Sequence, residues 1–87
     1  MPRVFIPPAM RAITNGEAIV DIDGANVGQV IDNLEQRFPG IKDRFCKDNS
    51  LRPGLSVAVG SSISSYGLLQ KTPADAEVHF LPAIGGG

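Results

Sequence analysis

Asp21-Ile22-Asp23-Gly24-Ala25-Asn26-Val27-Gly28-Gln29-Val30-Ile31-Asp32-Asn33-Leu34-Glu35-Gln36-Arg37-Phe38-Pro39-Gly40 is where the hydrophobic period of the chain changes. Upstream, residues 17–22 alternate, with Ala18, Val20 and Ile22 on one face, the period of a strand. After Asp23-Gly24, Val27, Val30, Ile31, Leu34 and Phe38 recur at i, i+3, i+4, i+7 and i+11, one stripe of an α-helix. Asn26 with Gln29 three residues on reads as a capping box, and Pro39-Gly40 as the stop. The polar residues Asp32, Glu35, Gln36 and Arg37 are assigned to solvent.

Working outward, residues 3–6 form a strand with Val4 and Ile6 on one face and Arg3 and Phe5 on the other, ended by Pro7-Pro8. Asn15-Gly16 supplies the turn chemistry that pairs it as a hairpin with residues 17–22 across a loop. Beyond the helix, Ile41 and Phe45 give one short helical turn, and residues 47–54 read as a functionally quiet loop. Residues 55–59 are a strand with Leu55, Val57 and Val59 inward and Ser56 and Ala58 outward, and residues 61–66 hold a short edge strand. The last strand, residues 77–81, points Val78 and Phe80 inward and His79 and Leu81 outward. The order β-β-α-β-(β)-β makes an α+β domain: a sheet of four to five strands with one main helix packed on one face. The helix stripe is expected on Val4, Ile6, Val20, Val57, Val59, Val78 and Phe80, leaving the other face open. Residues 1–82 are expected to be the domain and 83–87 a flexible tail.

Composition narrows the function. The 87 residues carry 8 basic and 9 acidic groups, net charge −1, with no basic stripe to neutralise phosphates, so neither nucleic acid nor a membrane surface is an expected partner. The opening apolar run is broken by prolines and is too short for a signal peptide or a span, so the expected location is cytoplasmic. One cysteine, Cys46, allows no internal disulfide. One histidine, His79, has no second ligand beside it and reads as a surface residue rather than a metal ligand or general base. Asp21 and Asp23 lack the other oxygens of a calcium loop, and Gly24 and Gly28 resemble a phosphate turn only loosely, without the lysine-serine partner. The serines at 61, 62, 64 and 65 have no nucleophile elbow. No self-contained active site, metal site or cofactor site can be assembled, so the chain is not expected to be an enzyme.

What remains is the end, Val78-His79-Phe80-Leu81-Pro82-Ala83-Ile84-Gly85-Gly86-Gly87. Glycine costs the most conformational entropy to order, so a terminal run serves poorly as core. It serves well as an insert: the three glycines carry no Cβ, and residues 83–87 span about 17 Å when extended, so the tail could bring a main-chain carboxylate into a narrow slot. By itself the run also fits a frayed end.

These residues, with Ile6-Pro7 and Met10-Arg11 after the first strand and the helix of residues 26–40, resemble the MoaD/ThiS family of ubiquitin-like sulfur carriers over nearly the whole chain. The resemblance implies a β-grasp fold. Leu81-Pro82-Ala83 and the Ile-Pro start look most similar to the branch feeding cysteine biosynthesis, with molybdopterin-synthase small subunits close behind; Gly85 departs from the alanine more usual there. It implies that Gly87 is adenylated by a ubiquitin-activating-type enzyme using ATP and magnesium, then converted to a thiocarboxylate, with Gly85 and Gly86 threading the tail. This chain would bind no cofactor itself. No proteolytic maturation is expected. A second enzyme, cysteine-synthase-like or a molybdopterin-synthase large subunit, would accept the sulfur. Phe5, His79, Leu81, Pro82 and Ile84 are the expected partner-binding residues, with Ile19 and Ala58 beside them. Two other readings use the same end: a ubiquitin-like modifier joined to lysines, and a binding module whose tail is idle.

Overall fold

In the computed structural model, which describes residues 1–82, the first and last strands lie side by side. Strand β1 (Arg3–Phe5) pairs antiparallel with β2 (Ile19–Asp21), Val4 opposite Val20, and parallel with β7 (Glu77–Pro82), Val4 opposite Val78. On its other side β7 runs antiparallel to β5 (Leu55–Val59), which pairs with the short edge strand β6 (Ser62–Ile63). The mixed five-stranded sheet therefore has the order β2-β1-β7-β5-β6, with β7 at its centre. Helix α1 (Val27–Arg37) buries Val27, Val30, Ile31 and Leu34 on one face of this sheet, against Val4, Ile6, Val20, Val57, Val78 and Phe80. This is the expected β-grasp arrangement. On β5 the expected inward residues Leu55 and Val59 stay partly open, packing at the border of the core.

The helix begins where the capping residues place it. Gln29 N donates to Asn26 Oδ1 at 2.8 Å, while the Gln29 side chain accepts from Ala25 N at 2.9 Å, one residue further out than in the usual reciprocal box. The approach to the helix is also tied down from the far end of the chain. Val27 N donates to Gln70 O, Thr72 N to Ala25 O and the buried Thr72 Oγ1 to Gly24 O at 2.7 Å. In the long first loop, Arg11 Nε donates to Ile6 O, and the buried Thr14 hydroxyl lies 2.8 Å from Glu17 O. That loop is thereby closed on itself while Met10 and Ile13 pack against the core.

Several expectations change. Glu35 is not simply solvated: its carboxylate accepts from Gly40 N and Lys42 N, joining α1 to the short helix α2 (Lys42–Phe45). The presumed loop after α2 contains a hairpin, β3 (Cys46–Lys47) with β4 (Ser50–Leu51). Its two turn residues, Asp48 and Asn49, have φ of 53° and 63°, the double positive φ that matches the right-handed twist of paired strands. Ala58 points away from the helix as expected but is buried, 7 % exposed, because its neighbours across the sheet are His79 and Ile63. A 3-10 turn, Gly67–Leu69, follows β6 and packs Leu68 onto the core.

Candidate functional site: the open sheet face and the end of β7

The face of the sheet opposite α1 is built by alternation, and the register decides which residues meet. Ile19 is opposite Phe5, Phe5 opposite His79, His79 opposite Ala58 and Ala58 opposite Ile63. One row thus crosses all five strands. At its centre the Phe5 and His79 rings stack, with centroids 4.1 Å apart and planes inclined by 16°. The ends are open: Ile19 is 49 % and Ile63 56 % exposed. Towards the C-terminal end of β7 the next row holds Leu81, 36 % exposed, opposite Ser56, followed by exposed Pro82 opposite Leu55.

Away from that end the face turns ionic. Arg3 lies between Asp21 and Glu77 in register, its Nε 3.5 Å from Asp21 Oδ1, and His79 Nε2 is 3.2 Å from Glu77 Oε1. The face is therefore graded: charges at one end, an apolar row in the middle, and leucine and proline beside the point where residue 83 follows.

The structure brings Phe5 and His79 into direct contact and sets Leu81 and Pro82 further along β7 on the same sheet. Ile84, Gly85, Gly86 and Gly87 lie outside the described residues. Ile63 is the member of the row that sequence reading missed. Its signal, one isoleucine between serines, is too short to fix a face until β6 is paired with β5.

Residues set aside on sequence grounds find structural explanations. Cys46 is 8 % exposed in the core on the helix side, and burial pushes its thiol up from the ordinary range. It lines a small pocket of about 160 Å³ with Gly28, Asp32, Lys42, Asn49 and Leu68. His79 lies on the other face of the sheet, so thiol and imidazole do not form a nucleophile and base pair. In that pocket wall Lys42 Nζ donates to Asp32 at 2.6 Å, which raises the lysine above its usual range. Gly24 has a steric reason to be glycine: a Cβ there would stand 2.7 Å from Val30 N. Gly28 faces Leu68 O, where a Cβ would be 3.3 Å away. Among the described residues no group of three or more His, Cys, Asp or Glu side chains could hold a metal ion, and no helix is long and apolar enough to cross a membrane.

Comparison with known proteins bears on the meaning of this face. The ThiS family model matches residues 4–87. The chain belongs to the ThiS family of ubiquitin-like sulfur carriers. Within this family, the sulfur carrier protein CysO of Mycobacterium tuberculosis is 33 % identical over 89 residues, covering 97 % of this chain and 96 % of its own length. A chain in the crystal structure of the Amycolatopsis orientalis BexX/CysO complex superposes with a TM-score of 0.90 at 35 % identity, over the full length of both chains. SAMP1 from Haloferax volcanii, 24 % identical with a TM-score of 0.71 over 99 % of this chain and 98 % of its own, shares the fold. The ThiS assignment turns attention from side-chain catalysis to the main chain beyond β7.

Proposed function

We propose that this ThiS-family protein carries sulfur as a thiocarboxylate on Gly87 and delivers it for cysteine biosynthesis. The carboxylate of a chain terminus is ionised near neutral pH and is a poor electrophile until its oxygen becomes part of a leaving group. A ubiquitin-activating-type partner supplies that activation with ATP and magnesium. The Gly87 carboxylate attacks the α-phosphorus, pyrophosphate leaves, and an acyl adenylate forms. Sulfide then attacks the acyl carbon and AMP leaves with the former carboxylate oxygen, so one oxygen is exchanged for sulfur without net redox change. Gly85 and Gly86 let the end enter the partner's slot, and a cysteine-synthase-like enzyme takes the sulfur. On this reading the chain is a protein co-substrate and not an enzyme.

The observation that carries the reading is the position of β7. It is the central strand, its outward His79 sits in the row across the sheet with exposed Leu81 in the row beside it, and it leads directly into residues 83–87. A partner seated on Phe5, His79, Ile63 and Leu81 would be adjacent to the entry of the tail, and an exposed cluster of apolar side chains is what such seating requires. The likeness to CysO over the whole chain favours the cysteine branch over a molybdopterin-synthase large subunit as acceptor.

The test is to incubate the full chain with the organism's ubiquitin-activating-type enzyme, ATP, magnesium and sulfide, and to weigh the intact protein. The expected product is heavier by the difference between sulfur and oxygen. Deletion of Gly87 abolishes it, and Ile63→Glu weakens complex formation while leaving the fold intact. Glycine remnants on lysines of other proteins, with no thiocarboxylate formed, would instead make the chain a modifier. Unchanged cellular function after tail deletion would make it a binding module.

A further inference from the structure

Two dipeptides of this chain place an asparagine or an aspartate directly before glycine, Asn15-Gly16 and Asp23-Gly24, and both Asn15 and Asp23 are exposed. In such a pair the glycine nitrogen, with no Cβ beside it, can attack the side-chain carbonyl carbon of the residue before it and close a succinimide ring. An unfolded chain reacts mostly at asparagine, because ammonia leaves an amide more readily than water leaves a carboxyl group. The fold reverses that order. We propose that Asp23 is the site at which the folded protein converts spontaneously to isoaspartate, while Asn15 is held inert by the loop that contains it.

The difference lies in what each glycine nitrogen does. Gly16 N donates to Arg11 O at 2.7 Å, across a turn in which Asn15 has φ of 57° and Gly16 of 85°. Attack on the Asn15 amide would have to break that bond and turn the nitrogen round. The loop resists it, because Arg11 Nε is tied to Ile6 O and the buried Thr14 hydroxyl lies 2.8 Å from Glu17 O. Gly24 N, by contrast, has no main-chain acceptor among the described residues. Its partner is Asp23 Oδ1 at 3.0 Å, an oxygen of the group it would attack. The carboxyl carbon is one bond beyond that oxygen, so ring closure needs rotation at an exposed residue and not the opening of a loop.

The reaction balances with water as its only co-reactant. Gly24 N forms a bond to Asp23 Cγ, and the amide proton leaves with one carboxyl oxygen and its proton as water. Water then adds at the main-chain carbonyl carbon of Asp23, and the bond from that carbon to Gly24 N breaks. The chain now runs through Cγ, one methylene longer, with a free carboxylate on Cα and no change in mass. That extra length falls at the entry to α1. There Asn33 Nδ2 donates to Asp23 O at 2.9 Å and Thr72 Oγ1 to Gly24 O at 2.7 Å, bonds whose spacing suits the shorter chain. The isomerised molecules should therefore melt below the intact ones. None of this depends on the tail or on the sulfur it is proposed to carry.

The experiment stores the full chain near neutral pH, folded and in parallel in denaturant, and maps isoaspartate in its peptides with an S-adenosylmethionine-dependent isoaspartyl methyltransferase as the probe. The folded protein is expected to gain isoaspartate at position 23 and none at 15, and the denatured chain to react first at 15. Asp23→Asn puts the same amide before glycine at both positions, so that geometry alone separates them; its HSQC spectrum checks that the sheet is intact. In the folded variant position 23 should lose ammonia ahead of 15, and in denaturant the two should react at similar rates. Loss of ammonia from Asn15 in the folded wild type as fast as in the denatured chain would overturn the proposal. So would position 15 reacting ahead of 23 in folded Asp23→Asn. Were that variant not to fold, the wild-type map decides alone: a folded protein free of isoaspartate at 23 after the denatured chain has formed it there would refute the assignment.

Discussion

Gly24→Ala tests whether the glycines before the main helix serve close packing or a ligand. A Cβ at Gly24 would lie 2.7 Å from both Val30 N and Val30 Cγ2 and 3.0 Å from Val30 Cα, where ordinary contacts begin at 3.4 Å. Rotating the valine removes only one of these conflicts, because the other two atoms are backbone. Val30 N donates to Asn26 O at 3.0 Å, the first turn of the helix, so displacing it loosens that bond. Moving Gly24 instead strains the bonds from Thr72 to Gly24 O and Ala25 O. Overpacking costs about 1–3 kcal/mol and a lost hydrogen bond about 1 kcal/mol, so the expected destabilisation is about 2–4 kcal/mol. For a domain of this size each kcal/mol moves Tm by about 4–8 °C, so the variant should melt at least about 8 °C lower. Thermal unfolding followed by circular dichroism measures it, with thiocarboxylate formation assayed well below the variant's Tm. A Tm within about 3 °C of wild type would refute the packing argument. Normal stability with lost activity would mean that the turn contacts a ligand.

Two further predictions concern titrating groups. The N–H groups of Gly40 and then Lys42 hold the Glu35 carboxyl below its ordinary range, so ionised Glu35 stabilises the fold above about pH 4.3 and that contribution fades as the pH falls through the lowered value. Glu35→Ala should therefore have a lower Tm than wild type near neutral pH, with the two curves converging as the pH falls through the lowered Glu35 value; a gap that widens in acid would contradict the bonding seen at Gly40 and Lys42. Burial raises the Cys46 thiol and covers it, so alkylation by iodoacetamide should be much slower in the native protein than in the denatured chain, as read by intact mass. Equal rates would show that the pocket beside Lys42 opens readily.

The sequence by itself determined the elements. The change of period at Asp23-Gly24, the Asn26 cap and the Pro39-Gly40 stop are local signals, since periodicity and capping act within a few residues. It also determined that side-chain chemistry is scarce and, through the family resemblance, pointed to the main chain after β7 as the expected working group. The Asp48–Asn49 hairpin was legible in principle, but two-residue strands give too short an alternation to read.

Tertiary structure alone decided what meets what. The parallel pairing of β1 with β7 joins residues at opposite ends of the chain, and no local pattern specifies that register. The same is true of Thr72 on Gly24, 48 residues apart. Glu35 looked like a solvent residue by helical phase, and only the fold of Pro39-Gly40 behind it brings two N–H donors to its carboxylate. On the open face, alternation gave the outward residues of each strand separately. Pairing across five strands turned them into one row, added Ile63, covered Ala58 and placed the sole histidine on Phe5. A residue's face is set by its own strand, whereas its neighbours are set by register, and register is a property of the folded sheet.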